Sequence, residues 1–155
     1  MEKHGIVGLD PFSWYPVQML LDATNELTRH ANMTSNFVAI GMKIGEHVPL
    51  PPEMVNPTLE EVLMIWDDLY QGLHRGGDVG HIRIEKVSNT YFKTIQSGLY
   101  PDDMSYGVLY AYGRRFLPPG TEYEVFYDPD VIPRDQGGTG EATYINIKWT
   151  AVPPT

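Results

Sequence analysis

The stretch Thr58-Leu59-Glu60-Glu61-Val62-Leu63-Met64-Ile65-Trp66-Asp67-Asp68-Leu69-Tyr70-Gln71-Gly72-Leu73, followed closely by His81-Ile82-Arg83-Ile84-Glu85-Lys86-Val87, decides the fold class. In the first part Leu59, Val62, Leu63, Trp66, Leu69, Tyr70 and Leu73 recur at helical steps, and Glu60, Asp67, Asp68 and Gln71 take the wet side. Thr58 and Glu61 have the spacing of a capping box, in which each side chain satisfies a backbone N–H that the first turn leaves orphaned. Gly76-Gly77-Asp78 ends the segment, with His74 and Arg75 suited to the negative end of the helix dipole. From His81 the period changes to two, and Ser88-Asn89 reads as a hairpin turn into Thr90-Tyr91-Phe92-Lys93-Thr94-Ile95.

Working outward, Val17, Leu20, Leu21, Thr24, Leu27 and Ala31 form one stripe of a helix entered through Pro16 and stopped by Asn32 and Thr34-Ser35-Asn36. Phe37 to Gly45 fits either a buried strand or a short helix capped by Ser35 or Asn36, and the helix is preferred. Pro49, Pro51 and Pro52 impose an extended connection. After Pro101, Asp102 and Asp103 open a helix carrying Met104, Val108, Leu109, Tyr112 and Phe116, which Pro118-Pro119-Gly120 terminates. Tyr123, Val125 and Tyr127 mark a third strand, and Tyr144 to Trp149 a fourth. The expected fold is α+β, a small antiparallel sheet of about four strands with about four helices packed mainly on one side. One domain over 1–155 is expected, with 151–155 a frayed tail.

Composition narrows the function classes. With 155 residues, 42% hydrophobic and 20% charged, the chain suits a folded soluble domain with a core of its own. Twenty acidic against eleven basic side chains give a net charge of −9, which disfavours a nucleic-acid partner. The absence of cysteine excludes disulfides, thiolate metal sites and cysteine nucleophiles. No stretch approaches the roughly 20 apolar residues of a membrane span, and a cytoplasmic location is the default expectation.

Candidate chemistry is sparse. His4, His30, His47, His74 and His81 include no i,i+4 pair flanking a glutamate, so surface or capping roles are expected over metal or haem. Asp67-Asp68 and Asp102-Asp103 diverge as helix neighbours, and the second pair suits a first turn. Gly137-Gly138-Thr139-Gly140 lacks the Gly-Lys-Ser/Thr ending of a phosphate loop and precedes a strand, so a plain turn is expected there, with Arg134 a weak anion partner. The absence of a nucleophile–base pair at readable spacing leans away from an enzyme. Gly41 and Gly45 share a face of the second helix, and Gly107 and Gly113, with Ala111 between, sit in the fourth. Each glycine costs about 1 kcal/mol relative to alanine in a helix interior, so either close helix approach or a cavity wall must offset it.

Tyr106-Gly107-Val108-Leu109-Tyr110-Ala111-Tyr112-Gly113-Arg114-Arg115-Phe116-Leu117 is a small-residue helix, followed by the strand Glu122 to Tyr127, Arg134, Gln136-Gly137-Gly138 and the closing Tyr144-Ile145-Asn146-Ile147-Lys148-Trp149. This pattern resembles the ligand-binding fold shared by haem-nitric-oxide-binding domains, four-vinyl-reductase-type domains and TRAPP subunits of Golgi transport. The resemblance implies a sensor or adaptor domain that binds a hydrophobic small molecule, and a homodimer. No cysteine flanks the Gly137-Gly138 pair, and no tyrosine, serine, arginine triplet stands at alternating positions. The expectation is therefore no cofactor, with haem as the alternative. The expected pocket lies between the sheet and the glycine-bearing helices, walled by Trp66, Tyr70, Tyr106, Gly107, Tyr110 and Tyr112. A ligand-free interaction module, dimerised through the small helix faces, is the second reading, and a haem gas sensor the third.

Overall fold

The computed structural model describes residues 4–30 and 33–152. Four helices, α1 (Val17–Leu27), α2 (Met33–His47), α3 (Leu59–Gly72) and α4 (Asp102–Phe116), accompany four strands, β1 (Ile82–Ser88), β2 (Tyr91–Gln96), β3 (Tyr123–Tyr127) and β4 (Thr143–Trp149). The strands form one antiparallel sheet in the order β1-β2-β4-β3. The α+β class and the element order expected from the periodicities are thus observed, and the ambiguous Phe37–Gly45 run is helical. Both residues offered as its cap, Ser35 and Asn36, fall inside α2, and Asn32 lies outside the described residues.

Helix α3 starts where its capping box dictates. The Glu61 backbone N–H donates to Thr58 Oγ1 at 3.2 Å, and Glu61 Oε2 accepts from the Thr58 backbone N–H at 2.7 Å. Its inner face delivers Leu59, Val62, Leu63, Trp66 and Tyr70 to the core, where they meet Leu109 and Tyr112 of α4 and Phe92, Ile145 and Ile147 of the sheet. Trp66 and Tyr112 pack edge to face, with ring centroids 5.2 Å apart, a geometry that favours aromatic pairs beyond their buried area.

Helices α2 and α4 approach backbone to backbone. A methyl group at Gly41 would overlap the Met104 carbonyl oxygen, and one at Gly107 would overlap the Val38 carbonyl oxygen. At Gly45 it would lie 2.8 Å from Ala111 Cβ. Of the two explanations for helix-interior glycines, close approach is the one observed at these three positions, and it occurs within the chain.

Helix α1 departs from expectation. Its stripe predicts a core helix extending to Ala31, yet it ends at Leu27 and only Ala23 and Thr24 are buried. The core assembles from α3, α4 and the sheet without it. Half of the stripe instead faces two cavities.

Candidate functional site

Two cavities flank α1 and share Tyr100. The first, about 540 Å³, lies between the segment 6–20 and the end of α3. Ile6, Leu9, Trp14, Pro16, Val17, Met19 and Leu20 form one wall, and Leu73, His74, Arg75, Val79 and Tyr100 the other. The second, about 510 Å³ and more polar, is bounded by Thr24, Asn25, Thr28 and His30 on one side and by Gly98 to Pro101, Asp103, Arg134 and Asp135 on the other. Both volumes fall within the ordinary range of small-molecule sites.

The segment over the first cavity is built by local chemistry. Asp10 accepts from the Phe12 backbone N–H at 3.0 Å and from the Ser13 hydroxyl at 2.7 Å, closing an Asx turn. Trp14 lies under the Arg75 guanidinium at 4.4 Å from its ring centroid, a cation–π contact that ties the segment to the end of α3. The His4 ring bonds Glu26 of α1 at 2.7 Å.

Two rings, His74 and Tyr100, stand across the cavity, with Tyr70 packed on both. His74 Nδ1 lies 2.7 Å from the Tyr70 carbonyl oxygen, which can only accept, so this nitrogen carries the imidazole proton. Nε2 is then the acceptor, and the Tyr100 hydroxyl donates to it at 2.7 Å. Tyr70 closes the cluster: its ring centroid is 4.7 Å from His74 and 6.1 Å from Tyr100, and its hydroxyl donates to the Val79 carbonyl at 2.7 Å. Burial, with a smaller contribution from neighbouring Tyr70, pushes the Tyr100 phenol up to about 12. Burial also raises Tyr70.

A phenol whose folded pKa exceeds its unfolded value of about 10 contributes stability that is intact below that pH. The contribution is lost as pH rises from about 10 through about 12. Denaturant midpoints measured across this window should fall, and Tyr100→Phe should flatten part of the slope. A slope identical in the variant would contradict the assignment.

A separate polar cluster pins α4. Asp102, 1% exposed, accepts from Arg134 Nη2 at 2.7 Å and from the Thr143 hydroxyl at 2.6 Å, and the Tyr127 hydroxyl donates to Asp103. Arg134, expected in a plain loop, heads a short 3-10 turn, Arg134–Gln136, and also donates to the Gly98 carbonyl at 3.1 Å. Among the described residues no group of three metal-ligating side chains gathers.

The residues expected around a pocket do not share one cavity. Trp66 and Tyr112 lie in the core, and Gly107 lies against the α2 backbone. Tyr106 donates to the Val125 carbonyl at 2.6 Å and packs on Tyr127. The Tyr110 carbonyl accepts from Tyr123 at 2.9 Å, and the two rings pack together. None of the six lines the apolar cavity, and Tyr70 packs against two residues that do, His74 and Tyr100. Tyr100 carries no expectation from the sequence, and His74 is expected there as a surface or capping histidine over a metal or haem ligand.

No protein-family model matches the sequence, and no curated protein matches it. Solved structures do match. An H-NOX structure described as probing the function of haem distortion in that family aligns with TM-score 0.63 at 12% identity, covering 99% of this chain and 83% of the other. An oxygen-binding H-NOX domain related to soluble guanylate cyclases, in its oxygen complex, aligns at 0.62 and 14% identity over 97% and 82%. A mutant of the T. tengcongensis H-NOX aligns at 0.60 and 14% over 97% and 86%. The chain has the H-NOX fold. Of the three groups the sequence resembles, these structures represent the haem-nitric-oxide-binding branch. They also correct the expectation of no cofactor, because domains with this fold are described by their haem and its distortion. Among the described residues no helix is long and apolar enough to cross a membrane.

Proposed function

We propose that this chain is a non-enzymatic sensor domain that binds haem in the apolar cavity between the segment 6–20 and the end of α3. The observation that carries the reading is the His74–Tyr100 pair on the wall of that cavity, in a fold shared with haem domains. Haem is a flat hydrophobic molecule that needs apolar walls and at least one axial donor, and imidazole and phenolate are both established donors. The residues present fit these needs. Leu20, Val17 and Leu73 supply apolar wall, and His74 has the outer hydrogen bond to a carbonyl that fixes the tautomer of metal-binding imidazoles. Bound haem would supply an iron able to take a diatomic gas.

The chain's own residues do the rest. Trp14 and Pro16 cover the cavity from the solvent side, and Arg75 holds Trp14 in place. Tyr70 keeps His74 and Tyr100 in register by packing on both. Titration of the purified chain with hemin should give a saturable Soret change at one haem per chain, accompanied by quenching of tryptophan emission. The reduced complex should then shift its spectrum on addition of nitric oxide. A hemin spectrum unchanged by the protein would reject haem. Retention of a different hydrophobic molecule in native mass spectra would move the reading to another apolar ligand, and a ligand-free dimer would favour an interaction module.

A further inference from the structure

We infer that a second ligand site lies where α3 begins, and that it takes a small organic anion, one carboxylate or sulfonate group on an apolar body. A cavity of about 860 Å³ opens there and shares no lining residue with the two cavities beside α1. Its volume is within the range of small-molecule sites. Leu50 and Met54 of the loop after α2, Leu59 of α3, Leu117 beyond α4 and Trp149 of β4 supply apolar wall. Pro51, Pro52 and Pro57 fix φ within that loop, so little order has to be gained when a ligand enters.

The headgroup class follows from Arg115, which also lines the cavity. Its Nη1 donates to the Gly45 and Val48 carbonyls at 3.2 and 3.0 Å, and its guanidinium carbon lies 4.8 Å from the Phe116 ring centroid. These contacts hold the guanidinium in place without neutralising it. No carboxylate among the described residues pairs with it, in a chain with twenty acidic side chains against eleven basic ones. Nε and Nη2 keep their hydrogens for an anion, and a headgroup with two oxygens matches that fork. Glu60, the one carboxylate on the lining, is already paired with Lys86 at 2.7 Å. A neutral ligand would leave Arg115 without a counter-charge, and an organic cation would meet it as a like charge.

The test titrates the full chain with anilinonaphthalene sulfonate and with phenylnaphthylamine, the same ring system without the sulfonate, and follows the emission of each probe. Wild type should bind the sulfonate saturably. Arg115→Gln should weaken that binding roughly 10-fold, the scale of a lost charge-assisted hydrogen bond, and leave phenylnaphthylamine unchanged. Arg115→Lys, which keeps the charge and loses the fork, should fall between the two. Met54→Trp fills the cavity with Arg115 intact, so it should weaken the sulfonate at least as much and decides the point if Arg115→Gln fails to fold. Leu20→Trp fills the cavity beside α1 and should leave sulfonate binding as in wild type. Sulfonate affinity unchanged by Arg115→Gln and Met54→Trp, or lost only in Leu20→Trp, would overturn the inference. So would a wild type that binds no sulfonate.

Discussion

Gly107→Leu should prevent the chain from folding stably, at a cost of about 3 kcal/mol or more, because the new side chain meets backbone and not a yielding side chain. The Cβ alone would overlap the Val38 carbonyl oxygen and come 2.9 Å from the Met42 nitrogen, both in the middle of α2. Relief requires α2 to move off α4, and Gly41 and Gly45 would lose their own close contacts with it. Gly72→Ala is the matched control, since nothing lies within 4 Å of a methyl group there. Urea denaturation should show a lost or strongly lowered transition for Gly107→Leu and one near wild type for Gly72→Ala. A Gly107→Leu protein of wild-type stability would mean that α2 and α4 are not in backbone contact. The same variant would have reported ligand loss had Gly107 faced a pocket, so stability and ligand retention must be measured together.

The second large effect is expected at Asp102. Its carboxylate joins the start of α4 to Arg134, to the Asp135 backbone N–H at 3.3 Å and to Thr143 at the head of β4, and it is withdrawn from water. Asp102→Ala leaves the Arg134 guanidinium, whose Nε already has no partner among the described residues, without its counter-charge. Breaking one side of a buried pair costs about 3–5 kcal/mol. Removing both charges with Asp102→Ala and Arg134→Met should cost less than the single change, because no unpaired charge remains. Denaturation of the single and double variants decides the point. A single variant within about 1 kcal/mol of wild type would show that the pair is solvated and contributes little.

These two sites also show how far the sequence could be read. The helix-interior glycines announce that something must offset their cost, yet only the fold shows which backbones meet, because the partners Val38 and Gly107 are distant in sequence. Asp102 is legible as a first-turn acid complementing the helix dipole. Its burial is not legible, because that depends on Arg134, 32 positions away. The start and inner face of α3 are readable because its cap and apolar stripe are local signals, although Leu73 at the end of that stripe is exposed. The α1 stripe misleads, because an apolar face lines a cavity as readily as it fills a core. His74 combines both cases. Its bond to the Tyr70 carbonyl is the C-terminal capping that its position predicts, whereas Tyr100, 26 positions on, arrives through the sheet.

The proposed function places haem in the cavity between the segment 6–20 and the end of α3. Leu20→Trp tests it most directly, because it fills that cavity from the α1 wall without replacing any ring or polar side chain across it. Native mass spectrometry of hemin-treated protein should show one haem per chain in wild type. It should show none in Leu20→Trp, with the helical circular dichroism of the two proteins alike. Equal haem occupancy in both proteins, or none in wild type, would contradict the account.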